Sequence, residues 1–150
     1  MNSSIKSLNQ VLAFQLEGVY GVVKQLQTEL TRASKLIADE ETRMVFNEYR
    51  RSLGDQRLKL KRIFSYILTG PYGRKADQEF ACWDEIINKD TLPSLRDILF
   101  STTLQHEVRS IIHRYTDARY IAMRLDLDNV VSLIDEILDD EESFAQKLKR

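Results

Sequence analysis

Apolar residues recur at steps of three and four along most of the chain, a spacing that predicts long amphipathic helices. The first helix is predicted from about Ile5 to Ile37. The second follows Asp39, a suitable N-cap, and runs to about Leu68. The inward positions of these two helices are Ile5, Leu8, Leu12, Val19, Val23, Leu26, Leu30, Ala33, Ile37, Phe46, Tyr49, Leu53, Leu60, Ile63, Phe64 and Ile67.

The second half of the chain repeats this pattern after a break at TGPYG, residues 69–73. A short helix is predicted over about 75–88, a third long helix over about 92–125, and a last helix over about 129–148. Thr91 and Asp128 are the expected N-caps, and Pro93 suits a first helical turn. The inward positions are Leu104, Val108, Ile111, Tyr115, Ala118, Ala122, Ile134, Ile137, Leu138, Glu141 and Leu148.

Four long helices with short connections predict an all-α, antiparallel four-helix bundle, with one extra short helix between the second and third long helices. Only five glycines and two prolines occur in 150 residues, which fits long helices. A chain of this length is expected to form one domain over 1–150. Because the short helix lengthens one connection, the second and third long helices need not be neighbours.

The charge balance gives no sign of a polyanionic partner. Lysines and arginines number 22, acidic residues 23, and the net charge is −1. We therefore expect no nucleic-acid partner, and no apolar run is long enough to predict a membrane span. The single cysteine, Cys82, suggests a reducing compartment, so a cytoplasmic location is expected. Its aromatic neighbours Phe80 and Trp83 predict a buried thiol.

Bundle cores often hold metal ions between inward Glu and His side chains, so we compared these residue types with the inward stripes. His106 and His113 lie on the outer face of the third long helix. Among the carboxylates, only Glu141 lies squarely on a stripe. Weaker metal candidates are Asp140, Glu107 and Glu48. One buried carboxylate is a poor metal site, and a tyrosine such as Tyr49 or Tyr115, or an arginine, would satisfy Glu141 by hydrogen bonding.

The order of several loose motifs resembles the YciF-like, stress-associated branch of the ferritin-like superfamily over residues 8–148. LEGVYGVVKQL is similar to the family's LxDLYxAExQL, and EYRRSLGDQRLKLKRIF to HxxxTxxQVxRLxxVF. FACWDEII resembles CxxxxGLIxE, and YIAMRLDLDNV resembles LAxxLGxxEV. LIDEILDDEESFAQKL is similar to LLEETLxEEKxxDEKL.

This resemblance implies a di-metal carboxylate centre whose ligand positions can be located in this chain. The family's first-helix Glu falls at Val23 and its second-helix His at Tyr49. The third-helix carboxylates fall near Val108 and Ile111, or at Glu107 if the register differs by one. Only the fourth-helix acidic pair is retained, as Asp140 and Glu141. The resemblance therefore implies that most ligand positions are now filled by other side chains.

These observations favour a non-catalytic bundle protein without a cofactor, with a structural, stress-associated or partner-binding role. A homodimer formed through an exposed helix face, or another protein partner, fits this hypothesis. An alternative is an iron- or manganese-binding protein or oxidase with a displaced site that uses Glu107, Glu141, Asp140, Glu48 and a histidine. A third hypothesis is a small-ligand pocket lined by Tyr20, Tyr49 and Tyr115. No recognisable catalytic constellation occurs, so the enzyme hypothesis is the less favoured one.

Overall fold

A computed structural model describes residues 7–67 and 80–149, and all its regular elements there are helices. They are α1 (Leu8–Ser34), α2 (Glu40–Tyr66), α3 (Ala81–Asn88), α4 (Pro93–Arg124) and α5 (Asp128–Leu148). The predicted order of long and short helices is confirmed. The predicted break at 69–73, the start of the short helix near 75 and the inward position of Ile5 lie outside the described residues.

The helix starts agree only partly with the predicted caps. Asp39 caps α2 as expected, since its carboxylate accepts a hydrogen bond of 2.9 Å from the Thr42 N–H. Pro93 also occupies the first turn of α4 as predicted. The prediction that Thr91 and Asp128 are N-caps was wrong. The N-caps of α4 and α5 are Leu92 and Leu127, and neither helix start has a side-chain cap.

The turn between α4 and α5 explains the displaced cap. Asp126 has a φ of 57°, the left-handed conformation that often ends a helix. The Leu127 N–H then bonds to the Ala122 carbonyl at 3.0 Å, and the Asp126 N–H to the Met123 carbonyl at 3.1 Å. This pair of bonds is the Schellman pattern, with aspartate where glycine is usual. The chain reverses so tightly that Asp128 is already the first residue of α5.

The four long helices form a ring in which α1 packs against α2 and α4, and α5 also packs against α2 and α4. Contacts near the termini give the directions. The Asp97 carboxylate at the start of α4 accepts the Ala38 N–H just before α2, whereas Lys147 at the end of α5 reaches Glu48 near the start of α2. Neighbouring helices are therefore antiparallel, and α2 and α4 are parallel across the diagonal. This is the predicted antiparallel four-helix bundle.

The short helix α3 packs on α4 through its aromatic face. Trp83 is fully buried, and its ring lies 5.9 Å from that of Phe100. An ion pair of 2.9 Å between Arg32 and Asp84 also ties α3 to α1. The predicted burial of Cys82 was wrong, because its side chain is exposed. A residue next to Trp83 is turned about 100° away from it around the helix, so it faces solvent.

Most of the predicted inward positions form the core, although Leu8 and Leu138 are only half-buried and the unpredicted Leu16 and Val130 are fully buried. Val23, Tyr49, Val108, Ile111 and Glu141 each have no measurable exposure. They lie among the other buried side chains of the four long helices, including Leu12, Leu16, Leu26, Leu30, Phe46, Leu53, Leu60, Ile63, Leu104, Tyr115, Ala122, Val130 and Ile134. No helix within the described ranges is long and apolar enough to cross a membrane.

Candidate functional site: a buried polar cluster in the bundle core

Glu141 lies on the apolar stripe of α5 and is wholly buried there, one turn beyond Ile137. Both of its carboxylate oxygens accept hydrogen bonds. The Tyr49 hydroxyl donates to Oε2 at 2.7 Å, and the Gln56 side-chain amide donates to Oε1 at 2.6 Å. Hydrogen bonding to a tyrosine, expected from the sequence, is confirmed.

The cluster continues from Gln56 to a third helix. The Tyr115 hydroxyl on α4 donates a bond of 2.7 Å to Oε1 of Gln56. This bond fixes the orientation of the Gln56 amide, because the oxygen must face Tyr115 and the nitrogen must face Glu141. Tyr49, Gln56, Tyr115 and Glu141, the core cluster, therefore link α2, α4 and α5 by one directed chain of hydrogen bonds.

Helix geometry explains why these side chains meet. Tyr49 and Gln56 are seven residues apart, or about two turns, so they lie on one face of α2. That face is directed at the bundle axis between Phe46, Leu53 and Leu60, which are all fully buried. The ring of Tyr49 also packs against that of Phe144 on α5, with 5.0 Å between the centroids. Apolar packing thus holds the polar groups in position.

Burial dominates the electrostatics of Glu141 and raises its pKa to about 7, although the bonds from Tyr49 and Gln56 pull it down. Water is excluded, and the charged form of a carboxyl loses hydration that two donors replace only partly. The hydroxyls of Tyr49 and Tyr115 have pKa values well above the ordinary value, because they are buried and lie near the Glu141 charge. Both tyrosines therefore remain neutral donors.

The other metal candidates are dispersed. Asp140 is exposed and pairs with Lys59 at 3.6 Å, whereas Glu48 is exposed and pairs with Lys147 at 3.3 Å. Glu107 is buried, and its charge contributes to the raised pKa of Tyr49. Both histidines, His106 and His113, face solvent as predicted. Within residues 7–67 and 80–149, no three His, Cys, Asp or Glu side chains are grouped closely enough to hold a metal.

The positions to which the family resemblance assigns ligands are occupied by core side chains. Val23, Val108 and Ile111 offer no donor atom, and all three are fully buried. Tyr49 offers a hydroxyl that already donates to Glu141. A di-metal centre requires several anionic or imidazole ligands around two cations. The residues at these positions do not fit such a group.

The three tyrosines suggested for a ligand pocket are not brought together. Tyr49 and Tyr115 belong to the core cluster. Tyr20 instead packs edge-on against Phe64, with 6.0 Å between the ring centroids, and its hydroxyl accepts a bond of 3.4 Å from Arg57. Tyr20 therefore belongs to the interface between α1 and α2.

Gln56 is the member of the cluster that sequence reasoning missed. The predicted stripe of α2 passes from Leu53 to Leu60 and leaves out the position between them that continues the steps of three and four. Gln56 occupies that position, and the quoted family pattern also has a glutamine there. A polar residue that fills a gap in an apolar stripe was the available signal.

Three comparisons place this fold among known proteins. A family model described as "Domain of unknown function (DUF892)" matches residues 7–150. The Escherichia coli stress protein YciF has 18% identity and a TM-score of 0.89, with 97% of this chain and 94% of that chain covered. YcfI, a putative structural protein from Rhodopseudomonas palustris, has 17% identity and a TM-score of 0.88, with 99% and 97% covered. No curated protein sequence matches significantly.

At these identities the two structures establish the fold, and the family match covers almost the whole chain. The predicted relation to YciF-like proteins is therefore confirmed by the shared fold and by the family match.

Proposed function

The chain belongs to the DUF892 family, and we propose that it is a non-catalytic ferritin-like bundle protein that has lost most of its di-metal ligands. The observation that carries this proposal is that both carboxylate oxygens of Glu141 already accept hydrogen bonds. Its two oxygens accept bonds of 2.7 and 2.6 Å from Tyr49 and Gln56, which are neutral donors and not cations. The carboxylate at the retained ligand position is thereby used as a structural acceptor.

The chemistry of the surrounding side chains supports the same conclusion. A divalent cation bound by Glu141 would break the bond from Tyr49 or Gln56 and leave a buried polar group unpaired, at a cost of about 1–3 kcal/mol. It would gain few ligands in return, because Val23, Val108 and Ile111 carry none. The proposed role of the cluster is to fix the register of three helices.

A structural or stress-associated role in the cytoplasm completes the proposal. The names of the two similar structures, a stress protein and a putative structural protein, support such a role. Because the net charge is −1, we propose a protein partner and not a nucleic acid.

The first candidate partner is a second copy of the chain. A row of exposed apolar side chains at the N-cap and first two turns of α4, with Ile98 61% exposed, supports this choice. Its members are Leu92, Leu95, Ile98 and Leu99. Light scattering after size exclusion should give twice the monomer mass, and Ile98→Asp should shift it toward the monomer. Met123→Asp, at another exposed apolar position of α4, is the control. A monomeric wild-type protein would contradict the dimer.

Metal analysis tests the loss of the di-metal site. Protein purified without chelators, from cells supplied with iron and manganese, should carry far less than one metal ion per chain. Glu141→Ala should not change that content. Stoichiometric iron, manganese or zinc that disappears in Glu141→Ala would refute the proposal.

The alternative, an iron- or manganese-binding protein or oxidase, rests on one observation. Glu107 on α4 and Glu141 on α5 are both buried, and the charges of both raise the pKa of Tyr49. Two carboxylates facing one core are the minimum for a displaced metal site. If Glu107→Gln and Glu141→Gln each abolish stoichiometric metal binding, this alternative replaces the proposal.

A further inference from the structure

A groove between α1 and α2 is lined by cations and neutral polar groups and by no carboxylate. Its volume is about 440 Å³, and it opens to solvent. The lining residues are Lys24, Gln27, Thr28, Thr31, Arg50, Arg51 and Arg57. We propose that this groove, the α1–α2 groove, binds a phosphate-bearing small molecule through Arg50, Arg57 and the two neighbouring cations.

The four cations of the groove differ from three paired cations of the bundle in having no carboxylate partner in the described part of the chain. Lys59, Arg119 and Lys147 each pair with an acidic side chain. By contrast, none of Lys24, Arg50, Arg51 and Arg57 has a carboxylate within 4.0 Å in the described part of the chain. Like charges held in one groove repel each other, and a bound anion would relieve that repulsion.

Two of the arginines are held in place by neutral neighbours, which keeps their charge available. The Arg57 guanidinium donates a bond of 2.9 Å to the Gln27 side-chain oxygen and stacks over the Tyr20 ring at 5.6 Å. Its Nε is buried and has no partner in the described structure. Arg50 donates a weaker bond of 3.4 Å to the Thr31 hydroxyl.

Gln27 fixes the geometry between the two arginines. Its side-chain nitrogen donates to the Arg50 carbonyl at 3.2 Å, while its oxygen accepts from Arg57. The absence of a side chain at Gly54 suits this approach, since a Cβ there would lie 3.4 Å from that nitrogen. Guanidinium groups held in this way lose little conformational entropy when they bind an anion.

The ligand class follows from these donors. Planar guanidinium groups match phosphate oxygens in pairs, and Arg50 and Arg57 both line the groove. The volume lies in the range of small-molecule sites. A long polyanion is disfavoured because the net charge of the chain is −1. This proposal concerns a surface outside the core cluster and does not depend on the role of Glu141.

Isothermal titration with inorganic phosphate and then pyrophosphate tests the proposal, in chloride buffer of constant ionic strength. Saturable binding at one site per chain is expected, with pyrophosphate binding more tightly. Arg57→Gln should weaken binding by about tenfold or more, the effect of losing one charge-assisted hydrogen bond.

A second variant removes the concern that Arg57 also supports packing against Tyr20. Lys24→Gln with Arg51→Gln changes two exposed side chains that form no hydrogen bond within the described structure, and it should also weaken binding. Lys89→Gln with Arg109→Gln, two exposed cations elsewhere, is the matched control and should bind as the wild type does. Absent saturable binding, or equal losses in the control, would overturn the proposal. A short single-stranded DNA that binds more tightly than pyrophosphate would also overturn it in favour of a nucleic-acid surface.

Discussion

The Tyr49 hydroxyl and the Glu141 carboxylate, 92 positions apart in the chain, are joined by a buried hydrogen bond of 2.7 Å. The bond connects α2 and α5 at two positions to which the family resemblance assigned metal ligands. A buried carboxylate requires compensation, and here a tyrosine and a glutamine supply it. The bundle core thus contains a self-sufficient polar cluster, and its consequences for stability are measurable.

Removal of the Glu141 side chain should destabilise the bundle. Glu141→Ala leaves a cavity and deprives Tyr49 and Gln56 of their acceptor, so the free energy of unfolding should fall by about 2–4 kcal/mol. Glu141→Gln keeps the shape and an acceptor, and it removes the cost of a buried charge. Urea denaturation at about pH 8 should therefore find Glu141→Gln at least as stable as the wild type. A loss as large as that of the alanine variant would show that the charge itself is required.

The raised pKa of Glu141 makes stability depend on pH. The folded-state pKa is about 7, against an ordinary value of 4.5, so between these values the folded state holds a proton that the unfolded state has lost. Stability should therefore fall as pH rises from about 5 to about 7.5, by about 3 kcal/mol at most. Denaturation across this range should show the slope, and Glu141→Gln should remove it. Equal slopes in both proteins would contradict the assignment to Glu141.

Gln56 should be coupled energetically to Tyr115. Gln56→Leu leaves the Tyr115 hydroxyl and one oxygen of Glu141 without partners, at a cost of about 2 kcal/mol. Tyr115→Phe removes one donor and should cost about 1 kcal/mol. A double-mutant cycle should give a coupling energy of about 1 kcal/mol. Strict additivity would mean that the observed bond of 2.7 Å contributes nothing to stability.

Asp97 should stabilise the junction of three helices. Its buried carboxylate accepts bonds from the Ala38 and Asp39 N–H groups, at 3.0 and 2.9 Å, and so ties the turn between α1 and α2 to the start of α4. Asp97→Ala should lower the free energy of unfolding by about 1–3 kcal/mol and speed hydrogen exchange at the start of α2. Asp117→Ala, at an exposed position of α4, is the control and should change little.

Sequence periodicity predicted the fold well because the core follows simple geometry. The stripes predicted inward positions for Val23, Tyr49 and Val108, and all three side chains are fully buried. Caps were less predictable, because Asp126 closes α4 in a left-handed conformation that composition does not reveal. Only part of the core cluster could be predicted from the sequence. Glu141 stood out as a charge on an apolar stripe, whereas the neutral Gln56 did not.

Long-range polar contacts were beyond sequence reasoning for a physical reason. Periodicity gives the face of a helix on which a residue lies, but it does not give the axial offset between two packed helices. The bond between Asp97 and Ala38 depends on that axial offset, and so does the bond between Tyr115 and Gln56. Each such contact becomes visible only when the register of the helices is known.

Unfolding measured with and without metal tests the central claim most directly. Urea denaturation at about pH 7.5 would be compared in EDTA and in excess Mn²⁺ or Fe²⁺, for the wild type and Glu141→Gln. A ligand that binds only the folded state must raise its stability. We predict equal free energies of unfolding in EDTA and in metal. Stabilisation of the wild type by metal, absent in Glu141→Gln, would contradict the account and show that the core still binds a metal ion.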